Sequence, residues 1–232
     1  MSQGTNQRTP VVFFFDVDNT LLNNDRIADD LRSHLTREVG AARQERYWAI
    51  FEELRVQLGY ADYLGALQRY RVENPHDSHL LEVSTFMIDY PFANRLYPGS
   101  LDALDHVKAM GRTVILSDGD VVFQPRKVDR SGLFEAVEGN ILIYIHKELE
   151  LEDVERRYPA DHYVMVDDKV RILTAMKKVW GARLTTVFPR QGHYATAPDV
   201  ATYPKPDITI EHIGALVDLD LPTLLKAGPA PK

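Results

Sequence analysis

The chain of 232 residues carries 27 basic and 34 acidic side chains, a formal net charge of −7, and 44% of its residues are hydrophobic. These values are ordinary for a soluble globular protein, and the acidic balance argues against nucleic acid as a partner. Cysteine is absent, which excludes disulfides, thiol nucleophiles and zinc–cysteine sites, and no apolar run reaches the roughly 18 residues that span a bilayer.

The first predicted element is a strand over residues 11–15, where two valines and three phenylalanines follow one another without a polar break. Such a run is typical of a strand buried on both faces, as in a parallel sheet. Asp16 and Asp18 follow it, at the carboxyl end where open parallel sheets bind ligands. Two carboxylates this close repel each other, which favours a nearby cation. Aspartate is also common in turns and helix caps, so this pair does not decide the function alone.

Helical periodicity replaces the strand signal over residues 21–96. Four apolar stripes follow the i, i+3, i+4 spacing of half-buried helices. They begin at Ile27, Tyr47, Tyr63 and Leu80. We therefore predict an all-helical insertion over residues 21–96, between two parts of one α/β domain formed by residues 1–20 and 97–232.

Strands and helices alternate after residue 98. The predicted strands cover residues 113–116, 141–145, 163–166, 184–188 and 207–210, with helices beginning near residues 100, 149 and 172. This alternation implies parallel pairing through right-handed crossovers. The predicted fold class is α/β: a Rossmann-like parallel sheet with helices on both faces, plus the inserted helical segment.

Three of the apolar strands end in polar, mostly acidic residues, and parallel strands end on the same edge of a sheet. We therefore expect side chains some 150 residues apart in sequence to converge. Oxygen-only ligands of this kind suit Mg²⁺. The residues at these strand ends are Asp16, Asp18, Ser117, Asp118, Asp120, Asp167 and Asp168.

This order of residues resembles the haloacid dehalogenase superfamily, in its phosphatase branch with a type-1 helical cap. Residues 16–20 resemble its first motif, Asp-x-Asp-x-Thr; Ser117 resembles its second, Lys147 its third, and the pair Asp167 and Asp168 its fourth. The helical segment lies where a type-1 cap would be inserted. Four motifs in order, each near a strand end, make the resemblance specific.

The resemblance implies that Asp16 is a nucleophile that forms an aspartyl-phosphate. It implies that Asp18 protonates the leaving oxygen and then takes a proton from the attacking water. A dehalogenase of this superfamily lacks the second aspartate, so Asp18 favours phosphoryl chemistry over the cleavage of a carbon–halogen bond.

The resemblance also assigns the groups that bind phosphate. Ser117 would donate to the phosphoryl oxygens, together with backbone amides near Asp118 and Gly119. Lys147 would offset the negative charge of Asp16 and of the transferring group. The sequence departs from the usual pattern at Glu148, where many relatives have proline, and at Asp118, where asparagine is more frequent.

The cofactor implied is Mg²⁺, held by the carboxylate of Asp16, the backbone carbonyl of Asp18 and an acid of the fourth motif. Asp168 is the favoured ligand, because the aspartate of the family's usual Gly-Asp aligns with it. Asp167 is then expected to contact the site less directly, although the sequence leaves the choice between them open.

Several weaker candidates remain. Lys127 is a rival to Lys147, but we expect it to serve a helix surface or substrate contacts. Lys169 is expected to be solvated or paired with an aspartate. The loop 190–194 lies at the active edge, the edge of the sheet where the strands end, and an ordinary loop is favoured over a substrate contact. Five side chains of the helical segment could read the leaving group, although packing and a solvated face are favoured: Tyr60, Tyr63, Arg69, Tyr70 and Arg71.

The predicted function is Mg²⁺-dependent hydrolysis of a phosphate monoester of a small metabolite. A phosphosugar mutase and a catalytically silent binding protein of the same fold remain alternatives. The polar first ten residues lack the apolar core of a signal peptide, so we expect a cytoplasmic location without a membrane partner.

Overall fold

The computed structural model describes residues 8–226, so the outermost parts of the predicted domain, residues 1–7 and 227–232, lie outside the described residues. Its centre is one six-stranded sheet in which every neighbouring pair of strands is parallel. The strand order is β3-β2-β1-β4-β5-β6. The strands are β1 (Thr9–Phe15), β2 (Arg112–Asp118), β3 (Ile141–Tyr144), β4 (Ala160–Val166), β5 (Leu184–Pro189) and β6 (Ile208–Ile210). The predicted α/β class and parallel sheet are confirmed.

Ten α-helices accompany this sheet within residues 8–226. Four of them, the cap helices, follow β1: α1 (Asn24–Val39), α2 (Ala41–Leu58), α3 (Tyr63–Glu73) and α4 (Leu80–Asp89). The others are α5 (Ser100–Lys108), α6 (Phe123–Arg130), α7 (Leu133–Ala136), α8 (Leu151–Arg157), α9 (Val170–Trp180) and α10 (Leu221–Lys226). No helix in the described range is long and apolar enough to cross a membrane.

Strand β1 is central because both of its faces are apolar. Val11, Phe13 and Phe15 pack into one cluster with α5, α6 and the cap helices. Val12 and Phe14 pack into a second cluster with α8 and α9 on the other face. All five side chains are at most 3% exposed. Burial on both faces is what a parallel sheet covered by helices requires, and it fixes the end of β1 in the middle of the active edge.

The cap helices bury the apolar stripes that the sequence predicts. The buried side chains of α2 include Tyr47, Ile50 and Leu54, and the residue that follows the helix is Gly59, with φ of 79°. A left-handed residue at a helix end is accommodated by glycine without a steric cost. The cap helices share one continuous apolar cluster with a face of the sheet, which holds them beside the strand ends.

Helix α6 is the main element that periodicity does not predict. It has eight residues, most of them polar or charged, with Pro125 near its start. Proline is tolerated in the first turn, where backbone amides lack intrahelical acceptors. The carboxylate of Asp120 accepts hydrogen bonds from the backbone amides of Val122 and Phe123, at 2.8 and 2.6 Å, and so satisfies two donors at the start of the helix.

Candidate active site

The carboxyl end of β1 carries the first two site carboxylates. The backbone amide of Asp16 donates to the carbonyl of Val166 at 3.0 Å, so Asp16 extends the pairing of β1 with β4. The chain then turns sharply, and Asn19 adopts the left-handed region with φ of 60°. Asparagine tolerates this region better than most residues. The turn separates the two carboxylates: Asp16 is 3% exposed, whereas the side chain of Asp18 is 21% exposed.

Asp16 is held by three side chains from three strand ends. The Nζ atom of Lys147 donates to its Oδ1 at 2.5 Å, and the Ser117 hydroxyl donates to the same oxygen at 3.3 Å. The hydroxyl of Thr20 lies 3.4 Å from its Oδ2. The predicted residues Asp16, Ser117 and Lys147 therefore meet at one point.

Lys147 is 1% exposed and lies in a 3-10 turn that follows β3. Its ammonium group also contacts Asp167 Oδ2 at 2.7 Å and the carbonyl of Leu116 at 3.2 Å. Its backbone amide donates to Asp118 Oδ1 at 2.7 Å, which fixes the turn. Burial alone would lower the pKa of Lys147, but Asp16 and Asp167 outweigh burial and raise it, so the side chain stays charged.

Three buried carboxylates form the acidic triad, Asp16, Asp167 and Asp168, with oxygens within 4.8 Å of one another. Burial raises the pKa of Asp167 to about 6 and raises that of Asp168 well above its ordinary value. Asp167 Oδ1 accepts a hydrogen bond from the backbone amide of Lys169 at 2.8 Å. Both carboxylate oxygens of Asp168 are buried without a hydrogen-bond partner among residues 8–226.

The acidic triad fits a divalent cation. A buried carboxylate without a partner is costly, and two neighbouring carboxylates increase the cost. All the side-chain donors are oxygens, the set that Mg²⁺ prefers. Asp167 is already engaged by Lys147, whereas Asp168 has two oxygens available. This difference favours Asp168 as the direct ligand, which stays a prediction.

The second motif surrounds the Ser117 hydroxyl. Gln124 of α6 donates to Ser117 Oγ at 3.0 Å. A Cβ atom at Gly119 would lie 2.6 Å from the Cβ of Gln124, so this close approach of loop and helix requires glycine. Burial raises the pKa of the neighbouring Asp118 carboxyl, although Lys147 opposes the shift. Asp118 is the last residue of β2, and Gly119 follows it, with its backbone amide donating to the carbonyl of Tyr144 at 2.9 Å.

The structure corrects the expectation that Lys127 serves a helix surface, because Lys127 is 1% exposed. Its Nζ atom donates to both carboxylate oxygens of Asp18, at 2.9 and 2.8 Å, and to Asn24 Oδ1 at 2.9 Å. The two rival lysines have separate partners: Lys147 holds Asp16, and Lys127 holds Asp18.

Sequence reasoning missed Gln124 and Asn24 as members of the site. The available signal was the i, i+3 spacing of Gln124 and Lys127, which places both on one face of α6. That face turns toward Ser117 and Asp18.

A family model described as haloacid dehalogenase-like hydrolase matches residues 11–179. The chain belongs to this family. A comparison with curated protein sequences finds no match.

Solved structures resemble this hydrolase over most of its length. A haloacid dehalogenase-like hydrolase from Burkholderia xenovorans LB400 is 66% identical, with a TM-score of 0.88, over 91% of this chain and 99% of that chain. An L-2-haloacid dehalogenase from Xanthobacter autotrophicus is 19% identical, with a TM-score of 0.58, over 90% of this chain and 97% of that chain. A magnesium-bound HAD hydrolase from Bacillus subtilis is 15% identical, with a TM-score of 0.59, over 91% and 98%. The last two likenesses concern the fold alone.

A cleft of about 260 Å³ opens between the cap helices of the hydrolase and the strand ends. The end of α2 and the loop after it line one side, and the core lines the other with residues that directly follow the second and fourth motifs. The side chains that line it include Asp18, Arg55, Tyr60, Asp118, Lys169 and Tyr194. The cleft therefore places the carboxylates of Asp18 and Asp118 beside cations and aromatic rings.

The five predicted cap side chains have different positions. Tyr60 lines the cleft. Tyr63 and Tyr70 are buried, 4% and 2% exposed, and belong to the apolar cluster. Arg69 and Arg71 are exposed on α3. Four of these five side chains are thus either packed in the apolar cluster or exposed to solvent, as the sequence analysis favours.

The loop 190–194 packs against the first motif. The side-chain amide of Gln191 donates from Nε2 to the backbone carbonyl of Thr20 at 2.6 Å. Tyr194 lines the cleft, and the ammonium of Lys169 lies 4.9 Å from the centre of its ring. Lys169 therefore faces an aromatic wall of the cleft, and no ion pair of its side chain occurs among the described residues.

Proposed function

We propose that this hydrolase cleaves phosphate monoesters of small metabolites, with Mg²⁺, through an aspartyl-phosphate on Asp16. The observation that carries the proposal is the division between the two carboxylates of the first motif. Asp16 is buried beside Lys147, and Asp18 is partly exposed at the cleft. A nucleophile and a separate proton carrier are what two-step phosphoryl transfer needs.

In the first step, a carboxylate oxygen of Asp16 forms a bond to phosphorus while the bond from phosphorus to the leaving oxygen breaks. Asp18, in its protonated form, gives its proton to that leaving oxygen. In the second step, Asp18 takes a proton from water as the water oxygen forms a bond to phosphorus and the bond from phosphorus to the Asp16 oxygen breaks. Inorganic phosphate leaves, and both carboxylates return to their starting states.

The remaining groups bind and neutralise the phosphoryl oxygens. The Ser117 hydroxyl and the backbone amide of Asp118 would donate to them. The backbone amide of Gly119 does not have the predicted role, because it already donates to the carbonyl of Tyr144 at 2.9 Å. Lys147 keeps its charge beside Asp16, which limits the repulsion between the nucleophile and the anionic substrate.

Mg²⁺ would be held by the Asp16 carboxylate, the Asp18 carbonyl and the Asp168 carboxylate. When bound, it supplies positive charge opposite the transferring phosphoryl group.

The small cleft supports a small substrate, because the cap helices cover the strand ends from one side. A mutase would use the same intermediate and return the phosphoryl group to a second hydroxyl, so it stays an alternative. Dehalogenation is less well supported, since it gives the carboxylate of Asp18 no task. A silent binding role would leave the buried ion pair of Asp16 and Lys147 without a use.

The test is phosphate release from a panel of phosphate monoesters, with Mg²⁺ and with a chelator. We expect turnover that requires Mg²⁺ and is lost in Asp16→Asn. Chloride release from 2-chloropropionate, measured in parallel, should stay at background. Halide release without phosphate release would contradict the proposal, and isomerisation of a hexose phosphate without net release would select the mutase.

A further inference from the structure

Lys127 lies outside the four motifs, yet it makes the most complete set of contacts with Asp18. An ammonium group has three N–H donors. Two of them reach the two carboxylate oxygens of Asp18, and the third reaches Asn24 Oδ1. Because both oxygens are engaged at once, the carboxylate of Asp18 is restrained in position and in rotation.

The environment of Lys127 makes this restraint strong. The side chain is 1% exposed, and the ring centres of Tyr63 and Phe123 lie 5.5 and 5.1 Å from its Nζ atom. A buried ammonium is costly unless it is paired and hydrogen-bonded. Aromatic faces attract a cation, but they carry no net negative charge that would neutralise it. Asp18 is therefore the anion that makes burial of Lys127 tolerable.

Two cap helices begin at this ammonium group. Asn24 is the first residue of α1, and Tyr63 is the first residue of α3. The side-chain amide of Asn24 also donates to the Tyr63 hydroxyl at 3.3 Å. Lys127 itself belongs to α6 of the core. The contacts thus run from the core, through Lys127, to Asp18 on one side and to the cap on the other.

We propose that Lys127 is a positioning residue for Asp18, and that Asn24 makes this positioning depend on the cap helices. This inference rests on the proposed function. Lys127 orients the carboxylate that exchanges protons with the leaving group and with water. When α1 moves away from the core, Lys127 loses its hydrogen bond to Asn24, and the carboxylate of Asp18 is held less firmly.

The alternative is a structural role, in which Lys127 only neutralises buried charge. The two roles differ in their dependence on the leaving group. An alkoxide needs a proton as it leaves, whereas p-nitrophenolate leaves without one. Loss of the proton donor therefore slows cleavage of an alkyl phosphate far more than cleavage of p-nitrophenyl phosphate. A general loss of structure slows both equally.

The experiment measures kcat/KM, which reports the first chemical step, for p-nitrophenyl phosphate and for an alkyl phosphate that the wild type cleaves. Asp18→Asn defines the selective loss expected when the acid is absent. We expect Lys127→Met to lose about 100-fold on the alkyl ester, the usual cost of misplacing a reacting group, and far less on the aryl ester. Lys127→Met should add little to Asp18→Asn, because both changes act on one proton transfer.

Three variants complete the design. Lys127→Arg should recover part of the alkyl-ester activity. Asn24→Ala should show the same selectivity with a smaller loss, since Lys127 keeps both hydrogen bonds to Asp18. Lys177→Met is the matched control: Lys177 pairs with Asp207 at 2.7 Å and bonds the carbonyl of Leu184 at the opposite edge of the sheet. It should leave the ratio of the two rates unchanged.

Equal fractional losses on both esters, or losses in Lys127→Met that add fully to those of Asp18→Asn, would overturn the inference while leaving the proposed function intact. A wild type that releases no phosphate would overturn both. If Lys127→Met does not fold, as judged by circular dichroism, Lys127→Arg and Asn24→Ala decide by the same ratio.

Discussion

The two buried lysines of the site, Lys147 and Lys127, are equally hidden from solvent and differently partnered. Each is 1% exposed. Lys147 lies between Asp16 and Asp167, whose side chains are 4% and 0% exposed. Lys127 pairs with Asp18, whose side chain is 21% exposed. One lysine therefore belongs to a closed cluster at the strand ends, and the other to a pair that opens on the cleft.

This difference fits the two tasks proposed for the carboxylates. A nucleophile must keep its place and its charge, and a closed cluster holds both. A proton carrier must reach the substrate and water, which requires exposure. The pair of Lys127 and Asp18 also contacts Asn24, a cap residue, whereas the side chain of Lys147 contacts Asp16, Asp167 and the carbonyl of Leu116, all in the core. The two halves of one short motif are thus stabilised in different ways.

The largest expected effect is a difference in the free energy of unfolding between variants of the two lysines. Lys147→Met would leave Asp16 and Asp167 buried without their cation, and breaking a buried pair costs about 3–5 kcal/mol. Lys127→Met should cost less, about 1.5–3 kcal/mol, because water can reach Asp18. Urea denaturation of both variants without metal measures the free energies of unfolding. Equal losses would mean that the exposure of Asp18 does not matter.

The second prediction divides the aspartates of the fourth motif. Asp168→Asn should raise the Mg²⁺ concentration needed for activity by more than the 10- to 100-fold typical of losing an outer partner of a metal ligand. Asp167→Asn should act mainly through Lys147, with a smaller change in the Mg²⁺ requirement. Metal titrations of phosphate release, supported by calorimetry, measure both. The reverse order would make Asp167 the direct ligand.

The third prediction concerns pH. In the metal-free folded protein the pKa of Asp167 is about 6, against 3.8 ordinarily, because the carboxyl is buried. The folded state binds more protons over this interval, so the contribution of Asp167 to stability falls as the pH rises through it. Mg²⁺ needs ionised ligands, and burial raises the pKa of the favoured ligand Asp168 well above its ordinary value, so the stabilising effect of Mg²⁺ should weaken as the pH falls.

Thermal unfolding midpoints with and without Mg²⁺, from about pH 5 to about pH 8, test this dependence. Where the ligand carboxyls are protonated, the apparent affinity should fall by about tenfold per pH unit for each proton displaced. Asp168→Asn serves as the control, since its midpoint should respond little to the metal. A metal effect that stays constant across the range would contradict the argument.

The sheet and the meeting of its acidic residues follow from local patterns. The apolar run before Asp16 and the run before Asp167 predict strands, and parallel strands bring their carboxyl ends together whatever their separation in sequence. The structure pairs these two strands directly, with Phe15 opposite Val166. Position at the strand end was therefore enough to place both acids at one edge.

The burial of Lys127 could not be predicted in this way. A lysine in a short polar helix is normally solvated, and its burial depends on contacts with residues about a hundred positions away. Helix α6 has no long apolar stripe. It begins where the backbone amide of Phe123 donates to the carboxylate of Asp120 and where the Phe123 side chain packs into the apolar cluster. Such long-range pairing appears only when the cap helices and the core are placed together.

The smallest expected effect concerns the contribution of the cap helices to the pair of Lys127 and Asp18. Tyr63→Phe keeps the ring over Lys127 and removes the hydroxyl that accepts from Asn24 at 3.3 Å. A long hydrogen bond between neutral groups contributes little, so the loss of unfolding free energy should not exceed about 1 kcal/mol. The ratio of alkyl to aryl ester cleavage should change less than in Asn24→Ala. A larger change in Tyr63→Phe would mean that the hydroxyl, and not the amide of Asn24 at the ammonium, links the cap to Asp18.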